Sequence, residues 1–159
     1  MNHRIVTRLL AAAALSLSAM LALAADDPAP RPAGDKLAAA RALIADNKWV
    51  AAIDELKKVG DSGSADWNNL MGYSHRKAKT PDLAAAERYY DAALRIDPRH
   101  KGALEYSGEL YLMKGELPRA EARLVALHGV CGSGCDEYKD LKAAIDAFKA
   151  NGGRVAARP

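Results

Sequence analysis

Aromatic residues and cysteines are scarce in this chain of 159 residues: six Tyr, two Trp, one Phe and two Cys. Two cysteines cannot build a disulfide-dense miniature scaffold, and a four-ligand structural zinc site would need two more ligands from elsewhere. Neither charge sign runs in blocks. With 23 Lys and Arg against 20 Asp and Glu, the balance gives no reason to expect nucleic acid or an acidic polymer as partner. Catalytic motifs are also missing: there is no G-x-S-x-G, no H-E-x-x-H and no Gly-rich phosphate loop ahead of a lysine. What is present is a 50% hydrophobic composition dominated by Ala and Leu, which favours helix over strand.

Residues 1–24 read as a secretory signal. Arg4 and Arg8 form a basic start, Leu9 to Leu23 supply an apolar stretch interrupted by Ser16 and Ser18, and Ala22-Leu23-Ala24 offers the small residues that signal peptidase requires. Fifteen Ala-rich residues fall short of the roughly 20 needed to span a bilayer. Cleavage after Ala24 is therefore expected, with a periplasmic or secreted destination and no stable membrane insertion afterwards. Removal leaves 159 − 24 = 135 residues and lowers the charge to 21 − 20 = +1. Pro28, Pro30 and Pro32 make residues 25–34 an extended linker. At the other end Asn151-Gly152-Gly153 stops the last helix, leaving residues 151–159 as a flexible tail.

Between these ends the chain repeats. Ala52, Ala86 and Ala120 are spaced by 34 and 34 residues. Trp49, Leu83 and Leu117 stand three positions before them, Leu56, Tyr90 and Leu124 four after, and Val59, Ala93 and Leu127 seven after. Those steps fall on one face of an α-helix with a small residue at its centre. A second helix precedes each, carrying Ala40, Gly72 and Gly108 at matching small positions, which let two helix backbones approach closely. Thr80 before Pro81, Asp97 before Pro98, and Ser64 ahead of Asp66 are the expected helix starts.

This pattern resembles the tetratricopeptide repeat, whose 34-residue unit follows W-x2-L-G-x2-Y…A-x3-F…A…P. The third unit matches without gaps through Leu104, Gly108, Tyr111, Gly115, Ala120, Leu124 and Leu127; the second has two extra residues around Lys79 to Pro81; the first has Ala40 in the glycine position. The expected fold is all-α, an α-α superhelix of about three helix pairs in units 35–64, 65–98 and 99–128. A capping helix at 136–150, with Tyr138, Leu141, Ile145 and Phe148 on one face, would cover the last pair and complete a domain over 35–150.

The resemblance also implies a site. First helices of such pairs line a concave groove, and the groove positions carried over are Leu37, Arg41 and Ile44, then Asn69, Tyr73, Arg76 and Lys77, then Glu105, Glu109, Leu112 and Met113. That mixture suits an extended peptide or partner helix, with Tyr73 as an anchor. Some modules of this kind clamp a C-terminal carboxylate with Lys and Asn, whereas the third unit here carries glutamates. The implied role is a non-enzymatic scaffold for a protein or peptide partner, without a cofactor. His75 and His100 read as solvated surface groups, and Glu105 with Glu109 as an exposed i, i+4 pair.

His128-Gly129-Val130-Cys131-Gly132-Ser133-Gly134-Cys135 forms a distinct loop before the cap. In an oxidising compartment its two thiols are expected to close a small disulfide ring that fixes the angle of the cap. Two other readings stand beside that one. Cys135 at the start of a helix could be a redox-active thiolate, and His128, Cys131 and Cys135 together offer a ligand set for copper(I) or zinc.

Overall fold

The computed structural model of the protein describes residues 34–155. The expected signal segment, nearly all of the linker and the end of the tail lie outside the described residues. Every regular element among the described residues is an α-helix: α1 (Ala38–Ala45), α2 (Trp49–Val59), α3 (Ala65–Lys77), α4 (Leu83–Ile96), α5 (Lys101–Met113), α6 (Leu117–Cys131) and α7 (Asp136–Ala150). None of them is long and apolar enough to cross a membrane. Packing is closest within α3–α4 and α5–α6, α1 packs mainly on α2, and each of these pairs also touches the next through α2–α3 and α4–α5. The last helix lies against both α5 and α6.

The small residues set these packings. Ala40, Ala52, Ala86 and Ala120 are all fully buried. A Cβ added at Gly72 would stand 2.7 Å from the ring of Tyr90 on α4, and one at Gly108 would stand 2.6 Å from Leu141 on α7. Both glycines are set by close approach rather than by backbone angle, Gly72 against a rigid ring and Gly108 against the flexible end of a leucine. One apolar cluster runs from Ala86 and Tyr90 through Leu104, Tyr111 and Leu127 to Leu141, Ile145 and Phe148, so the cap shares a core with the helices it covers. A second cluster joins Leu37, Ala40, Leu56, Trp67 and Met71, with Ile44 packed against it.

The turns follow ordinary cap chemistry, with two departures from expectation. Ser64 Oγ does accept from Trp67 N–H at 3.2 Å, and Gly60 closes α2 in the left-handed region at φ 65°. Thr80, however, does not cap α4: the helix starts later, and Asp82 accepts from Ala85 N–H at 2.8 Å. Nor does Asp97 cap α5. Its carboxylate accepts from Arg99 N–H and its carbonyl from His100 N–H, so Asp97 shapes the preceding turn. His100 takes the cap, with Nδ1 accepting from Ala103 N–H at 3.1 Å. It is therefore not a solvated histidine; its side chain is 13% exposed and its Nε2 lies 2.9 Å from Asp66. His75 is half-buried as well, stacked on Tyr89.

Candidate interaction groove

Leaving three helices to line a surface on one side of the molecule, the packing creates a groove of about 1040 Å³ between the C-terminal halves of α3, α5 and α7. Leu112 and Met113 of α5 with Ala144, Ala147 and Phe148 of α7 give it an apolar side; Arg76, Lys77 and Lys79 give it cations; Trp49, at the start of α2, closes one edge. Concave, mostly apolar surfaces with a few fixed polar groups are where ligands bind.

Of the residues expected at groove positions, Arg76, Lys77, Glu109, Leu112 and Met113 line this groove together. Tyr73 lies beside it, half-buried between Trp49 at 5.8 Å and Tyr106 at 4.6 Å between ring centroids. Arg41 is exposed on α1 and bridges to Asp35 and Asp66 rather than lining the groove. Leu37, at the start of α1, and Ile44 join the apolar cluster of α1–α3 and do not line the groove. Trp49, Ala144, Ala147 and Phe148 line it without being in the expected set. Trp49 reads in sequence as a packing position, and α7 reads as a cap, so only the fold reveals that both also form groove wall.

The largest departure concerns charge. Arg76 is 4% exposed. Its guanidinium donates to Glu109 Oε2 at 2.6 Å and through Nε to the hydroxyl of Tyr90 at 3.3 Å, and it lies over the rings of Tyr73 and Tyr106 at 5.5 and 5.6 Å. Burial opposes its charge, but Tyr90 and Glu109 outweigh that effect and hold its pKa above the ordinary value. Glu105 and Glu109 are likewise no exposed pair. Glu105, on a helix packed against α3, α4, α6 and α7, is 7% exposed; burial first, and then the carboxylates of Glu109, Asp140 and Glu137, push its pKa up to about 8. Burial also raises the Tyr106 phenol to about 12. Asn69 is buried too, and its Oδ1 has no hydrogen-bond partner.

The cysteines sit apart from the groove. Helix α6 continues through His128 to Cys131, so the expected loop shrinks to residues 132–135, and Cys135 stands at the N-cap of α7. Cys131 and Cys135 are joined by a disulfide across a Cα separation of 5.9 Å. The ring of His128 leans against Tyr138 at 5.7 Å. No group of three or more His, Cys, Asp or Glu among the described residues is arranged to hold a metal ion. Comparison with known proteins finds no matching family model and no matching curated protein.

Proposed function

We propose that the chain is an exported, non-enzymatic repeat protein of tetratricopeptide type that binds a peptide, or an extended segment of a partner protein, in the groove between α3, α5 and α7. The observation that carries this reading is the groove itself: first helices of successive pairs and the terminal helix jointly present an apolar side next to fixed charges. The 34-residue spacing of the buried Ala52, Ala86 and Ala120 supports the repeat assignment, and the pattern of residues 1–24 supports export. Met113, Phe148 and Trp49 are the apolar anchors a bound segment would meet, with Lys79 at the rim.

Site-specific photocrosslinking tests it. A photoreactive residue in place of Met113 or Lys79 is expected to trap a discrete partner in the native compartment. The same residue in place of Val125, 73% exposed on α6 and not part of the groove, is expected to trap none. Equal trapping at Val125, or none at Met113 and Lys79, overturns the groove.

A further inference from the structure

The wall that α5 and α3 present beside the groove holds hydrogen-bond acceptors that lack donors. Glu105 is 93% buried by its 7% exposure, yet no hydrogen bond or ion pair reaches it among the described residues, and its oxygens are not among the fully enclosed unpartnered atoms. Asn69, on α3, approaches Gly102, one helical turn before Glu105, through its Nδ2, and its Oδ1 is an enclosed acceptor without a donor. Buried polar groups are normally satisfied, so two such acceptors on adjacent helices need an explanation.

Charge points the same way. The groups that act on Glu105 are Glu109 on its own helix, Glu137 and Asp140 on α7, and Arg76 on α3. Arg76, the one cation in that set, is committed to Glu109 and Tyr90. Glu137 is neutralised by Lys101 at 3.0 Å. Glu105 and the exposed Asp140 are left over. Arg76 also shows how this wall handles a guanidinium: a carboxylate at one end and the faces of Tyr73 and Tyr106 beside it.

We infer that the bound segment carries a basic side chain, arginine above all, whose guanidinium is received by Glu105 and Asp140 against the Tyr106 side of this wall. The inference rests on the groove reading above and specifies its partner's chemistry. A guanidinium supplies several donors in a fixed fork, which answers acceptors that lack them. Without the ligand Glu105 holds a proton near neutral pH; with it the carboxylate is ionised, so binding releases that proton and strengthens as pH rises from 6 to 8.

A random dodecapeptide display selection on the folded chain tests this. Arginine- or lysine-bearing peptides are expected to be enriched. Their affinity is expected to fall at least tenfold in Glu105→Gln and severalfold in Asp140→Asn, and calorimetry in two buffers is expected to detect proton release at pH 7. Because Asp140 is exposed, its variant reports even if the Glu105 variant unfolds. Enriched peptides without basic residues, or basic peptides that bind both variants as tightly as the parent, overturn the inference while leaving the groove reading intact. No enrichment at all, or peptides indifferent to Met113→Glu on the groove's apolar side, overturns the groove reading and this inference with it.

Discussion

Asp66 and His100 are 34 residues apart, and their side chains meet at 2.9 Å. Because His100 Nδ1 accepts from Ala103 N–H, the proton sits on Nε2, which donates to Asp66 Oδ1. Arg41 reaches the other Asp66 oxygen at 3.1 Å, so one carboxylate ties α1 to the starts of α3 and α5. The hydrogen bond from His100 is the main cause that holds the Asp66 pKa below its ordinary value of 3.8. The stabilisation is therefore complete above that value and fades as pH falls through the lower, folded one. His100→Asn keeps a good capping group but removes the link; His100→Ala removes both. We expect a loss of about 0.5 kcal/mol for the first and about 1–2 kcal/mol for the second, read by urea denaturation at pH 7. In an Asp66→Asn background the two losses should shrink toward the cap contribution alone.

Gly72 and Gly108 occupy matching places in successive units but face different neighbours. The Cβ of Gly72→Ala would meet the ring of Tyr90, which is fully buried and held through its hydroxyl by Arg76. That of Gly108→Ala would meet the branched end of Leu141, which can change rotamer. Alanine gains about 1 kcal/mol of helix propensity at either site, against about 1–3 kcal/mol for overpacking. Gly72→Ala is expected to be the more destabilising, by about 1–2 kcal/mol net, and Gly108→Ala to fall near zero. Thermal melts of the two variants decide it, and the reverse order would mean that the Tyr90 ring yields more readily than Leu141.

The helices were legible because their signals are local. Ala52, Ala86 and Ala120 each sit at the buried centre of a 3-4-3 apolar stripe, and α7 runs over the span bounded by Cys135 and Asn151-Gly152-Gly153. The polar inner faces were not legible in the same way. Whether Arg76 is a solvated cation or a buried one depends on Tyr90 and Glu109, which are 14 and 33 positions along the chain, and no spacing rule connects them. Glu105 with Glu109 has the signature of an exposed helix pair, and only the tertiary packing around α5 buries the first of them. His100 looked like a surface residue because histidine is an uncommon N-cap; the turn made by Asp97 places it there.

Glu105 makes a pH prediction of opposite sign to Asp66. Its pKa rises from 4.5 to about 8 on folding, so between those values the folded state binds more protons than the unfolded chain. This group's contribution to stability therefore falls as pH rises from about 4.5 to about 8. Glu105→Gln keeps the shape and removes the ionisation. It is expected to match the parent near pH 5 and to melt several degrees higher near pH 8.5, in the absence of a basic ligand. Parallel pH profiles for parent and variant would show that Glu105 is ionised at no cost.

The disulfide supplies the last prediction. Cys131 and Cys135 are four positions apart, and closing so short a loop removes little unfolded-state entropy, about 2 kcal/mol at most. The cap does not depend on it alone, because Leu141, Ile145 and Phe148 share one apolar cluster with Leu104, Tyr111 and Leu127. Burying three such side chains contributes roughly 1.5–3 kcal/mol each, which exceeds the contribution of the bond. The double variant Cys131→Ser, Cys135→Ser is therefore expected to keep its full helicity and to lose about 1–2 kcal/mol. Circular dichroism and urea titration of the variant, alongside the reduced parent, check this. A loss of helical signal equivalent to one helix would mean that α7 undocks without the bond, and that the bond and not the apolar face holds the cap.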